Sequence, residues 1–253
     1  MGFLGWNGPE PNGSFVYGKC TRMSTPEFFF LRRANTLPFA VSAQIGMELC
    51  GKYRTKLTCP SVGDGWHFLL EPRTTVKKIR RYLDQIADTD EGKKAIDVLS
   101  RVVDESCTPM ATFLYLSFSL PVEHGGMGMD APHVSAVYKH DDSSDISDFS
   151  PSSYGDILAY DVCWPESGVA VSYVGDSPLS TDSVLALITE KIPHVYLLAD
   201  DVLSDMEAFQ DFANDVANGM CHGHHLIRHN IEIPRFDGMM MTAHDLRIHL
   251  ADF

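Results

Sequence analysis

The 253-residue chain has no apolar run approaching the ~20 residues needed to cross a bilayer. Its longest candidate, Phe113 to Leu120, is interrupted by Ser117 and Ser119 and stopped by Pro121. The opening Met1-Gly-Phe-Leu-Gly-Trp6 lacks both the basic stretch and the long apolar stretch of a secretory signal. It also lacks the Ser or Thr that a myristoylation signal places at position 6. The expected location is therefore the cytoplasm, with no membrane partner. None of the six cysteines (20, 50, 59, 107, 163 and 221) forms a C-x-x-C pair, so buried thiols are expected before bridges or a zinc knuckle. Basic residues are scarce, 20 against 34 acidic for a net charge of −14. That argues against a protein whose main task is holding a polyanion, while leaving room for a local basic patch. There is no Ser-His-Asp elbow, phosphate-cradling glycine loop or dinucleotide fingerprint; Gly125-Gly-Met-Gly128 follows a helix, not a strand.

With hydrophobic residues at 44% and charged residues at 21%, the chain has ordinary globular values and enough length for one core with an accessory lobe. Residues 14–17 offer one short strand. A cap and an N-terminal proline at Thr25-Pro26 open a first helix, and Phe39 to Leu49 forms a second, closed by Gly51. Residues 52–72 read as an irregular excursion. Val76, Ile79, Leu83 and Ile86 mark an amphipathic helix behind the cap Thr74-Thr75, and a further helix is expected over Glu91 to Ser106. Thr108-Pro109 opens a helix that is apolar almost all round to Leu120, as expected of a central element. Strands are then expected over 133–139, 157–164 and 169–174, the last two joined by the turn Pro165-Glu-Ser-Gly168. A Ser/Asp-rich loop spans 141–156; a helix over 180–191, a strand from His194 and an acidic helix over 204–218 follow.

Two clusters outside that pattern invite a function. Arg73, Lys77, Lys78, Arg80 and Arg81 form the one basic concentration, either a solvated helix face or a contact for nucleic acid or an acidic partner. Cys221-His222-Gly-His224-His225, with His229 beyond, has ligand types that suit Zn²⁺. However, Gly219 and Gly223 argue against a rigid helix, and no second Cys or His pair has matching spacing, so a His-rich segment without a metal is the ordinary reading. Met239 to Met241 reads as a packing stripe.

The order from 108 onward is helix, three strands, helix, strand, helix, the core order of the PD-(D/E)XK nuclease superfamily. Ser24-Thr-Pro-Glu-Phe-Phe-Phe-Leu31, Met47-Glu-Leu-Cys-Gly-Lys-Tyr-Arg54 and Thr108-Pro-Met-Ala-Thr112 sharpen the match. So do Leu120-Pro121, Gly125-Gly-Met-Gly128, Tyr160-Asp-Val-Cys-Trp-Pro-Glu166 and Val169-Ala-Val-Ser-Tyr173. Over roughly residues 10–218 the chain resembles a very-short-patch-repair-like, restriction-endonuclease-like group of actinobacterial proteins. The resemblance implies an α/β fold with three parts. A mainly helical N-terminal lobe covers 1–106, and a core of a central mixed sheet flanked by helices covers 107–218. A His- and Met-rich segment, 219–253, is appended.

The resemblance also implies where chemistry would sit. Hydrolysis of a phosphodiester with Mg²⁺ or Mn²⁺ needs hard oxygen ligands converging on one point. Asp161 matches the first strand carboxylate. The second carboxylate position is Ser172, the position two residues on is Val174, and the helix glutamate position is Ala111. One of three ligands is kept, and a lone carboxylate beside a hydroxyl holds Mg²⁺ poorly. The segment after Ser172, where the group carries His and Arg, is acidic and apolar (176–187). The expectation is a catalytically degenerate endonuclease-like protein that binds an unidentified partner and needs no cofactor. Two alternatives stay open: an active Mg/Mn-dependent nuclease using Asp161 with relocated acids such as Glu166, Asp176 or Asp182, and an antitoxin-like regulator that binds protein.

Overall fold

The computed structural model describes residues 6–18, 22–55, 70–139, 157–175, 192 and 194–222. The chain divides into two compact units, one running to Leu116 and the other starting at Ser117.

In the first unit, β1 (Phe15–Tyr17) and β2 (Arg22–Ser24) pair antiparallel. Helices α1 (Pro26–Thr36), α2 (Phe39–Cys50), α3 (Val76–Leu83) and α4 (Asp90–Leu99) follow. Each start has a local cause. Thr25 Oγ1 accepts from the Phe28 N–H ahead of Pro26, Thr75 Oγ1 accepts from Lys78, and Thr89 Oγ1 accepts from Gly92. α2 is buried along nearly its whole length, from Ala40 to Cys50, and is the axis of this unit. α1 buries Phe28, Phe30, Leu31 and Ala34, and α4 buries Ala95, Val98 and Leu99.

Among the described residues, the buried polar side chains of this unit are paired except at Gln44 Oε1. The Glu48 carboxylate, fully buried, accepts from the Thr55 N–H and from Thr55 Oγ1, both at 2.7 Å. The nearby Arg54 guanidinium donates to the carbonyls of Glu48 (3.1 Å), Gly51 (3.0 Å) and Glu71 (2.7 Å). Tyr53 donates its hydroxyl to Thr112, which also shares a bond with Ser106. The Met47–Arg54 motif is thus a buried polar knot that fixes the chain leaving α2.

α4 stops at Leu99, short of the expected Ser106. Residues 102–107 are drawn into other bonds: Glu105 N–H reaches the Cys50 carbonyl, and the Ser106 carbonyl accepts from Lys52. Glu105 itself has a positive φ of 70°. The amphipathic helix ends at Leu83, followed by a 3₁₀ turn over Asp84–Ile86.

α5 (Pro109–Ser119) opens with Thr108 Oγ1 accepting from the Ala111 N–H, and every residue from Ala111 to Leu120 is buried. After Pro121 the glycine-rich segment folds back over the end of α5. Met127, Gly128 and Met129 donate to the carbonyls of Ser117, Leu120 and Phe118. Gly125 and Gly128 take φ of 85° and 67°, and a Cβ at Gly126 would lie 2.1 Å from the Leu120 oxygen. The glycines are a helix terminator.

The second unit contains one four-stranded sheet in the order β3-β4-β5-β6, made of β3 (His133–Lys139), β4 (Ile157–Trp164), β5 (Val169–Gly175) and β6 (His194–Ala199). β3 and β4 pair antiparallel, as do β4 and β5, and β6 is parallel to β5. The protein is therefore α/β with a mixed sheet. Trp164 fixes this sheet to the end of α5: its ring stands edge-on to Phe118 at 5.3 Å, and Nε1 donates to the Asp130 carbonyl at 2.7 Å. Two helices follow β6, α6 (Asp200–Ser204) and α7 (Met206–His222). α7 buries Phe209, Ala213 and Val216, and Phe212 meets Tyr196 edge-on at 6.3 Å. The closing helix extends past the expected Asn218 to His222, and the short α6 was not expected from sequence. The expected helix over 180–191, the loop 141–156, most of the excursion 52–72 and the Met239–Met241 stripe lie outside the described residues. No helix among the described residues is long and apolar enough to cross a membrane.

Candidate functional site

The register of the sheet singles out Asp161. β4 and β5 pair only at Val162↔Val171, Cys163↔Ala170 and Trp164↔Val169, the three pairs nearest their turn. Before Val162, β4 pairs only with β3; after Val171, β5 pairs only with β6. The sheet thus opens between β4 and β5, with Asp161 at the apex on one strand and Ser172 on the other. On the opposite side of β4 the register is also interrupted. It passes from Val134↔Val162 to Ala136↔Tyr160, skipping Ser135 and Asp161. Ser135 has a left-handed φ of 48°, an uncommon and costly state for a residue with a side chain.

Asp161 is half-buried, and its Oδ2 accepts from the backbone N–H of Tyr173 at 2.8 Å. A side chain replaces the ladder bond that the strands no longer make. Ser172 is buried, and its Oγ finds no hydrogen-bond partner among the described residues. A buried hydroxyl left without a partner costs about 1–3 kcal/mol, so it is a notable position. Tyr173 also bonds through its hydroxyl to the Asp200 carboxylate at the start of α6. Val174 is half-buried and apolar. Tyr173 thereby links two carboxylates, one through its amide and one through its ring oxygen.

Ala111 belongs to the first unit, in the first turn of α5, and is fully buried. Its methyl offers no oxygen. Glu166 is exposed in the turn at the closed end of the β4–β5 hairpin, away from the opening. Asp176 and Asp182 lie outside the described residues. No cluster of three or more His, Cys, Asp or Glu with metal-binding placement occurs among the described residues.

The basic residues lie on and just before one helix. Lys77, Lys78, Arg80 and Arg81 are all exposed on α3, and Arg73 is exposed shortly before it. Arg80 pairs with Asp84 at 3.1 Å, both more than half exposed, so the pair adds little stability. Lys77, Lys78 and Arg81 make no ion pair among the described residues. Of the histidine cluster, His222 ends α7, while His224 and His225 lie outside the described residues.

Free thiols are present at Cys50, Cys107 and Cys163, the first and last of them buried. Burial, reinforced by the Asp104 carboxylate, pushes the Cys50 thiol far up, away from the thiolate a nucleophile needs. Sequence reasoning missed the Asp161–Tyr173–Asp200 linkage and the opening of the sheet at that point. Both depend on register, and the apolar alternation of the two strands runs through the break without a signal.

Comparison with protein-family models, curated proteins and solved structures returns no match.

Proposed function

We propose that this protein is a catalytically degenerate, restriction-endonuclease-like module that works by binding and does not cut nucleic acid. The carrying observation is the state of Asp161. Its carboxylate is engaged by the Tyr173 amide, and its cross-strand neighbour is a buried serine. A two-metal phosphodiester site needs several anionic oxygens meeting at one point. Here Ala111, Ser172 and Val174 supply none. The strand order and directions, three antiparallel strands followed by one parallel to the third, support the kinship implied by the sequence motifs. The opening between β4 and β5 falls where that kinship puts its cutting site, as expected of a scaffold whose chemistry has been removed.

The test is plasmid nicking with Mg²⁺ and, separately, Mn²⁺. The expected outcome is no cleavage above buffer by the wild-type chain. Metal-dependent cleavage that disappears in Asp161→Ala would overturn the reading and establish a working enzyme.

A further inference from the structure

Charge is distributed unevenly along the chain. Residues 1–116 contain 15 Lys and Arg against 12 Asp and Glu; residues 117–253 contain 5 against 22. Two exposed helix faces concentrate that difference. On α3, Lys77 and Arg81 stand one turn apart with Lys78 alongside, and none of the three makes an ion pair among the described residues. On α7, Glu207, Asp211 and Asp215 repeat every four residues, all exposed, also without an ion pair there. Residues 194–222 contain no Lys or Arg. Like charges at that spacing destabilise the helix that bears them. Four residues of helix rise about 6 Å, so either face presents its charges at one interval.

We infer that the basic face of α3 is a docking surface for a second copy of this chain, which it meets at the acidic face of α7. The second copy supplies the complementary ladder by construction. A nucleic acid would be attracted by α3 but opposed by the chain's net charge of −14. At ordinary salt the net charge of −14 does not prevent association, because exposed charges more than about 8–10 Å apart are screened while apposed side chains are not. The contact joins two different faces, so it either closes reciprocally in a two-fold dimer or repeats head-to-tail into a ring or an open chain. This inference is independent of the nuclease kinship.

Sedimentation velocity on the full chain tests it, over a range of protein concentration at about 50 mM and about 500 mM salt. The sedimentation coefficient should rise with concentration at low salt, with association at least tenfold weaker at high salt. The triple variant Lys77→Glu, Lys78→Glu, Arg81→Glu should stay monomeric, as should Glu207→Lys, Asp211→Lys, Asp215→Lys. Their equimolar mixture should associate, since each then carries what the other lacks; circular dichroism checks that both are folded. A wild-type monomer at every condition overturns the inference, whether or not α3 shifts a labelled DNA duplex. So does a mixture of two folded variants that fails to associate.

Discussion

Arg54 shows how one side chain can determine a local fold. Its guanidinium reaches four backbone carbonyls in two directions, those of Glu48, Gly51 and Tyr53 from one nitrogen and that of Glu71 from the other. A lysine keeps the charge but is a point donor, without the planar fork that spans those acceptors. Arg54→Lys should therefore cost about 1–3 kcal/mol, the penalty for leaving buried acceptors unmet. Arg81→Lys, on the exposed face of α3, should stay within about 0.5 kcal/mol; urea denaturation of both variants makes the comparison. Tyr82 gives a second residue-scale test. Burial raises its phenol from 10.0 to about 12, against the opposing effect of its hydrogen bond with Ser14. Between those two values the unfolded chain has lost the proton and the folded chain still holds it. Stability is thus fully present below pH 10 and is lost as pH rises through about 12. Tyr53, also raised mainly by burial, loses stability in the same direction. Denaturant midpoints across pH 9 to 12 should fall, and the fall should be smaller in Tyr82→Phe.

Among the elements, those with a chemical start signal were legible. Thr25-Pro26, Thr75 and Thr108-Pro109 mark the real starts of α1, α3 and α5, because a cap acts within three residues of itself. Less was legible where distant partners decide. α4 ends early because Cys50 and Lys52 compete for the backbone of residues 105 and 106. β2 is a three-residue exposed strand with no alternation to read, and α6 has no side-chain cap. Gly92 belongs to this scale. Alanine is the better helix former by about 0.8–1.0 kcal/mol, yet its Cβ would lie 2.0 Å from the Ile86 carbonyl oxygen. The clash prevails because its partner is backbone and cannot rotate away. Gly92→Ala should lower stability by about 1–3 kcal/mol, as overpacking does, and thermal unfolding will show it as a reduced midpoint.

For the whole molecule, the alternation of helices and strands made the α/β class readable before any coordinates. The positions of Ala111, Ser172 and Val174 could be compared with a nuclease template on residue identity alone. What sequence could not convey was the state of the Asp161 carboxylate, since register and hydrogen bonding decide whether an aspartate is available. Asp161 was readable as a candidate, but its engagement by Tyr173 was not.

The split in the sheet bears on that aspartate. Where β4 and β5 part, the ladder between them ends and two strand edges face inward, a hazard proteins usually meet at the outside of a sheet. The Asp161 carboxylate covers one amide on that inner rim and holds the two halves together just beyond their last shared pair. It is a latch across a fissure, and a latch is a reason to keep this carboxylate that owes nothing to catalysis.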